Sequence, residues 1–233
     1  MDKDFLPNFI YIFSNPFFIT RRYLYIYIKH MSKYFKSGIL LDIGCGTKPY
    51  EKLFAVDKYI GIDFEKNGNN NNPKADILYD GKKFPIESES VNYVLATEVL
   101  EHVFNPTEFI EECNRVLKVG GLCLITVPFV WDEHEQPFDY GRYTSFGLKF
   151  LAEKNGFEVI EQTKTGNFIT TLGQMICTYF YYIFHNKKYI YKISLFLFFA
   201  PIQILTLMLA KVFPVNKNFY LDNIMLIRKK INL

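Results

Sequence analysis

The 233-residue sequence predicts an α/β fold, a doubly wound sheet of mainly parallel strands with helices on both faces. Three observations carry this expectation. Short apolar, β-rich runs recur through residues 38–163, helical patterns separate the later ones, and the first run ends directly in a glycine-rich turn.

Residues Arg21 to Phe35 place Tyr, Leu and Ile at helical spacing and end at Ser37-Gly38, a stop signal. Ile39 to Ile43 is the first strand, Tyr59 to Asp63 the second and Ala75 to Tyr79 the third. Val91 to Ala96 is the fourth and Leu122 to Val127 the fifth. Between those two, Pro106 to Leu117 reads as a helix with proline in its first turn and Gly120-Gly121 after its end. A helix over Ser145 to Lys154 stops at Asn155-Gly156 and leads to a sixth strand, Phe157 to Glu161. Two apolar stretches follow, Leu172 to Phe184 and Ile193 to Phe213, the second broken by Pro201 and softened by Gln203 and Thr206. Asp222 to Arg228 is the final strand. There is no internal repeat. The implied organisation is an N-terminal helical segment (1–37), a core domain (38–164 plus 220–230) and a hydrophobic helical insertion (165–219).

Composition narrows the function classes. A net charge of +3, with no Lys/Arg cluster interleaved with aromatics, argues against nucleic-acid binding. The 17 Tyr and 24 Phe, with much Ile, Lys and Asn, fit an AT-rich coding background, and the run Asn69 to Asn72 reads as a polar loop. Cys45, Cys113, Cys123 and Cys177 form no CxxC pair and have no His at ligand spacing, so no metal site and no disulfide framework are expected. A reducing cytoplasmic location fits. The N-terminus lacks the basic start and continuous apolar core of a signal peptide.

Asp42-Ile43-Gly44-Cys45-Gly46-Thr47-Lys48 follows the first strand and opens toward a helix, so the glycines allow a sharp turn and close approach of a ligand. Asp63 ends the second strand 21 residues after Asp42, where a carboxylate can accept hydrogen bonds from both hydroxyls of a ribose. The loop is not the G-x-G-x-x-G of a pyrophosphate binder, because Thr47-Lys48-Pro49 follows the second glycine. A sulfonium nucleoside has no phosphate to cradle, needs fewer glycines and tolerates carboxylates nearby.

On these residues the sequence resembles the class I S-adenosylmethionine-dependent methyltransferases. Leu41 to Gly46 looks like their first motif and Gly61-Ile62-Asp63 like the end of their second strand. Asp80-Gly81 with Phe84-Pro85-Ile86 resembles the stretch that contacts adenine, and Val99 to Val103 and Arg115 to Gly121 resemble later blocks. The match covers residues 38–163. Gly46 to Tyr50 and His134 to Thr144 look like the type 11-like branch often associated with bacterial surface-polysaccharide synthesis. The resemblance implies a Rossmann-like seven-stranded sheet whose last strand is antiparallel and inserts beside the sixth. It implies S-adenosylmethionine as cofactor, with Asp42, Gly44 and Gly46 on the methionine moiety, Asp63 on the ribose, and Asp80 and Gly81 at the adenine. Two positions depart from the pattern: Lys48 stands where many relatives have a third glycine, and Asn92 where Asp is usual.

Methyl transfer is an in-line displacement, and a base is needed when the acceptor is a sugar hydroxyl. The densest polar patch, Trp131 to Thr144, follows the fifth strand, at the edge where open α/β sheets bind ligands. His134 is the favoured base, with a neighbouring carboxylate to orient its ring. Asp139, Tyr140 and Arg142 would shape the acceptor pocket or hold an acidic group; the plainer alternative pairs Asp139 with Arg142 to pin the loop. His102, four residues after Glu98, is expected to pair with it on a helical turn.

The insertion has a topological constraint. Both its flanks belong to one domain, so a single membrane crossing is excluded. A re-entrant hairpin, an interfacial helix pair, or a cover packed on protein or a partner chain remains. Lys187, Lys188, Lys192 and Lys211 among Tyr and Phe suit a headgroup interface, which would make the protein peripheral on the inner face of the cytoplasmic membrane. The functional expectation is methyl transfer to a small or glycan-like acceptor such as a sugar of a surface polysaccharide. The rivals are a prenylated quinone or other lipid as acceptor, and a non-catalytic scaffold. Oligomeric state is left open.

Overall fold

The computed structural model describes residue 5 and residues 8–65 and 74–231; the Asn69–Asn72 run lies outside them. The strands are β1 (Ile39–Ile43), β2 (Lys58–Phe64), β3 (Ile77–Tyr79), β4 (Val91–Thr97), β5 (Leu117–Pro128), β6 (Phe157–Lys164) and β7 (Asp222–Lys229). The helices are α1 (Phe18–Met31), α2 (Pro106–Val116), α3 (Ser145–Lys154), α4 (Phe168–Phe184), α5 (Lys188–Ser194) and α6 (Ala200–Val212). The chain divides into two compact units. One holds residues 28–128, 133–163 and 223–233; the other holds residues 1–27, 129–132 and 164–222. The N-terminal segment, as far as Tyr27, thus shares a unit with the insertion.

The first unit is built on the sheet, whose order is β3-β2-β1-β4-β5-β7-β6. β1, β2, β3, β4 and β5 pair in parallel, and β7 runs antiparallel. Asp42 lies level with Gly61 on one side and Leu95 on the other, so the carboxyl ends of β1, β2 and β4 align. Successive crossovers leave β1 in opposite directions, toward β2 and toward β4, which opens a crevice at that switch point. The core joins Leu41, Val94 and Ile125 of the sheet to Phe109, Ile110 and Cys113 of α2 and Leu148 and Ala152 of α3.

Several boundaries move: α1 lies at Phe18–Met31 against an expected Arg21 to Phe35, β6 runs on to Lys164, and the start of β5 shifts most in meaning. β5 starts at Leu117, so Gly120-Gly121 lies within the strand and not after a helix end. Val91 pairs with Leu117 but Tyr93 with Leu122, and this register shift makes residues 118–121 a bulge. Gly120 takes φ +76°, and a Cβ on Gly121 would stand 2.8 Å from the Lys118 carbonyl oxygen and 2.9 Å from that of Asn92. Glycine is therefore used for strand bulging and close approach.

The second unit is helical. α5 and α6 join through a widened turn, Leu195–Phe199, into one helix over Lys188–Val212. Pro201 does not break it: proline lacks an N–H and crowds the preceding turn, and the wider turn just before it accommodates the ring. Gly173 of α4 meets Thr206 of α6, where a Cβ would lie 2.1 Å from the threonine hydroxyl oxygen. Gln174 donates to the Pro16 carbonyl (3.1 Å), and Gln203 donates to the Asn15 carbonyl (3.2 Å). Both glutamines are fully buried. They fasten the N-terminal segment to the insertion, a pairing between distant residues that local periodicity does not reveal. The insertion's two ends meet: Thr165 and Leu221 hydrogen-bond through the backbone, and the Thr165 hydroxyl donates to the Asp222 carboxylate at 2.7 Å.

Candidate active site

The turn after β1 is shaped by two residues with left-handed backbone, Gly44 (φ +63°) and Gly46 (φ +48°). A Cβ on Gly44 would stand 2.6 Å from Val99, whereas one on Gly46 would meet nothing within 4 Å. The backbone at Gly46 therefore borders open space that a ligand can use. The Cys45 amide donates to the Ile62 carbonyl (3.1 Å) and ties the turn to β2. Asp42 is 2% exposed; one carboxylate oxygen accepts from the Tyr59 hydroxyl at 2.6 Å, and the other is buried without a hydrogen-bond partner. Burial pushes its pKa up to about 7, although the Tyr59 bond and the charge of Lys48 pull the other way.

Lys48 adopts φ +53°, so the position where relatives carry a third glycine keeps a left-handed backbone. That conformation costs a non-glycine residue about 1 kcal/mol. Its side chain lies across Gly61, where a Cβ would fall 2.4 Å from the lysine Cε, and its ammonium bonds Asp76 at 2.6 Å. The same Asp76 oxygen accepts the Gly61 amide at 2.7 Å. Asn92, the other departure, accepts from the Ile39 amide at 3.0 Å and links the starts of β4 and β1, at the sheet edge away from the turn.

Asp63 stands next to last in β2 and accepts from the Phe64 amide at 2.9 Å. Asp80 follows β3, which pairs with β2 at Phe64 and Tyr79, and accepts from the Lys82 amide at 3.1 Å. Gly81 takes φ +79° and lies so near Phe64 that a Cβ would be 2.8 Å from its ring. The structure thus gathers Asp42, Gly44, Gly46, Asp63, Asp80 and Gly81 along the carboxyl ends of β1, β2 and β3. An unpartnered buried carboxylate oxygen, open backbone at Gly46 and carboxylates after two successive strands suit a cationic nucleoside with ribose hydroxyls.

The residues after β4 and β5 form a second cluster. Glu98 (φ +54°) accepts from the Thr126 hydroxyl at 2.7 Å. Glu101 is fully buried, and among the described residues neither of its carboxylate oxygens has a hydrogen-bond partner. Burial, with the charge of Glu98 beside it, pushes this carboxyl well above the usual range. His102 does not take the expected role of a Glu98 partner on a helical turn. Its Nδ1 lies 2.8 Å from the Phe138 carbonyl oxygen, and its Nε2 lies 3.8 Å from Glu101. The His134 ring stands edge-on to His102, centroids 4.7 Å apart.

Asp139 organises the loop. One of its oxygens accepts the His134 amide at 3.0 Å and lies 3.3 Å from that residue's Nδ1. Arg142 holds both oxygens in a fork, at 2.6 and 2.7 Å. Burial opposes the charge on Asp139, but the Arg142 and His134 bonds outweigh it and hold the carboxyl at about 2. Arg142 is thus engaged with Asp139, the pairing that the plainer of the two expectations gave. Tyr140 contributes its amide, which donates to the Glu101 carbonyl at 2.7 Å, while its ring packs edge-on against Phe104. The polar stretch from Trp131 is divided between the units: Trp131 packs on Phe17, and Asp132 accepts from the Tyr182 hydroxyl. Sequence reasoning singled out His134 but not Glu101, whose signal was a carboxylate set between apolar Leu100 and Val103.

The family described as "Methyltransferase domain" matches residues 41–125. A Mycolicibacterium smegmatis protein described as a probable S-adenosylmethionine-dependent methyltransferase is 29% identical over 136 residues, 55% of this chain and 51% of the relative. An uncharacterized protein of Methanocaldococcus jannaschii is 31% identical over 144 residues, covering 59% and 67%. The chain spans about half the length of the mycobacterial relatives it matches. Among solved structures, Haemonchus contortus phosphoethanolamine N-methyltransferase 2 in complex with S-adenosyl-L-methionine aligns with a TM-score of 0.56 at 18% identity, over 96% of this chain and 56% of the other. The [4+2]-cyclase SpnF aligns at 0.55 and 16% identity, over 88% and 82%, so this fold by itself does not define a reaction. With the sheet order, the glycine turn and the strand-end carboxylates, these matches establish that the chain belongs to the class I S-adenosylmethionine-dependent methyltransferases.

Proposed function

We propose that this chain transfers a methyl group from S-adenosylmethionine to a hydroxyl of a glycan-like or lipid-linked acceptor, such as a sugar in surface-polysaccharide synthesis. The observation that carries the reading is His134 held by Asp139, itself forked by Arg142, on the loop after β5. The bound cofactor supplies a methyl carbon activated by its sulfonium. Asp63 receives the ribose hydroxyls, Asp80 and Gly81 border the base, and Gly44 and Gly46 admit the methionine moiety with Asp42 facing its charge. With Nδ1–H directed at Asp139, His134 presents Nε2 as the acceptor of the hydroxyl proton. Asp139 keeps its charge through the neutral range and stabilises the protonated ring.

The helical unit supports a reaction at a membrane surface. The helix over Lys188–Val212 is 25 residues, about 38 Å long, and 28% of its most apolar window is buried. Phe196, Leu197 and Met208 face outward while Ser194, Gln203 and Thr206 are inside. Cys177, Phe199 and Ala200 are buried beside these polar groups, and an outward apolar face of this kind suits helices in contact with lipid. The unit is a hairpin inserted from one face of the membrane, and this favours a lipid-linked acceptor.

Calorimetry with S-adenosylmethionine and its demethylated product tests the cofactor site. Micromolar binding by the wild type, lost in Asp63→Ala, is expected; no binding by folded wild type leaves the scaffold alternative. With glycan and prenyl-lipid acceptors, His134→Ala is expected to lower turnover about 10²- to 10⁴-fold with cofactor affinity unchanged. Preference for prenylated quinone over lipid-linked sugar would reassign the acceptor.

A further inference from the structure

We propose that Glu101, His102 and His134 form a binding site for one divalent first-row transition-metal ion, beside the strand ends that hold the cofactor residues. One ligand atom from each of the three lies within 4.8 Å of the other two. Donors around one ion at bond lengths of about 2.1 Å stand about 3 Å apart, so small side-chain rotations close the set.

The outer contacts are those of metal-binding histidines. His102 has its Nδ1 on the Phe138 carbonyl, and His134 has its Nδ1 toward Asp139. In His102 this leaves Nε2 as the coordinating atom, and His134 offers a ring nitrogen to the same group. Glu101 gives independent support. It is fully buried, its two oxygens have no hydrogen-bond partner among the described residues, and the His102 ring nitrogen Nε2 lies 3.8 Å from one of them. An unsatisfied buried carboxylate costs several kcal/mol, and a cation shared with two imidazoles removes that cost. Glu98 adds negative charge beside it.

Two imidazoles and one carboxylate on one side of an ion leave open positions, and the side chains of His102 (19% exposed) and His134 (28% exposed) place those positions at solvent. An acceptor with adjacent hydroxyls fits them. Coordination lowers the hydroxyl pKa, its proton passes to water, and the oxygen forms the new C–O bond as the S–C bond breaks. This role rests on the methyl-transfer reading and makes His134 a ligand in the metal-loaded enzyme; the metal site itself does not depend on it.

The test is calorimetric titration of the metal-stripped full chain with Mn²⁺, with the demethylated cofactor product titrated separately. One ion per chain is expected for wild type. Glu101→Gln and His134→Ala should weaken it at least about tenfold, and Asp139→Asn about 10- to 100-fold. Their affinity for the cofactor product should stay within about twofold, which also establishes that the variants are folded. Wild type that binds the cofactor product but none of Mn²⁺, Co²⁺ or Zn²⁺ at one per chain overturns the site, as do variants that bind Mn²⁺ as tightly as wild type. Loss of cofactor binding alone would count against the methyltransferase reading and not against the metal.

Discussion

The two units bury different mixtures of side chains: both hold apolar clusters, but the helical one adds many polar groups. In the sheet unit Leu95, Ile125 and Val127 are fully buried between neighbouring strands and helices. In the helical unit Thr170, Thr171, Gln174, Gln203 and Thr206 are buried, while Ile193, Phe196, Leu197 and Met208 lie outward. Water drives the first arrangement, because apolar area removed from it contributes about 25 cal/mol per Å². The second is stabilised by close helix approach and by hydrogen bonds within the bundle, and it suits a surrounding medium that is itself apolar.

The contrast is sharpest in the sheet core. Ile125→Ala should destabilise the protein by about 2–5 kcal/mol in urea titration, since the transfer energy is lost and a cavity remains. Acidity separates the units next. Asp42 is raised from 3.8 to about 7, so its contribution to stability is complete below about pH 4 and is lost as pH rises through 7. The loss is on the order of 4 kcal/mol. Asp42→Asn should flatten that decline and exceed wild type in stability at pH 7.5, as measured by urea midpoints from pH 4 to 8. A decline that persists unchanged in the variant would remove Asp42 as its cause.

Within the helical unit, Gly173→Leu should cost about 1–3 kcal/mol through its collision with Thr206, seen as lost amide protection over 168–212. Gln203→Ala should cost about 1–2 kcal/mol by leaving a buried carbonyl unpaired, with faster exchange near Asn15. The smallest effect on stability belongs to the outward residues. Ile193→Ser, Leu197→Ser and Met208→Ser should each change it by less than about 0.5 kcal/mol, while together they abolish flotation with anionic lipid vesicles. A large loss of stability in water with flotation intact would instead mark that face as a protein contact.

Much of the sheet was legible because its signals are local. β1 was placed at its observed bounds, and β2, β4 and β7 within one or two residues, since apolar β-rich runs ending in Gly or Asp are punctuated by their own neighbours. The extension of β5 through Gly120-Gly121 was not legible, because the same dipeptide serves a helix stop or a bulge and partner strand β4 decides which. Pro201 misled for a related reason: a widened turn leaves no mark in composition. Of the site, the strand-end residues Asp42 and Asp63 could be ordered from spacing, and Asp80 was placed by the family resemblance. The meeting of Glu101 with His134 could not, because it depends on how two loops after different strands fold onto each other. The joining of residues 12–16 to Gln174 and Gln203 is likewise a long-range pairing of polar groups with no periodic trace.

The clasp between Thr165 and Asp222 has a consequence for how such a chain can diversify. Two ends held by a hydrogen bond form a docking port: whatever is spliced between them begins and finishes at one point, and the register of β7 is indifferent to its length. Because loop closure grows costlier only logarithmically with added residues, helices can be exchanged, lengthened or removed at this port without renegotiating the catalytic half. A fixed chemical engine can in this way be issued with different addresses.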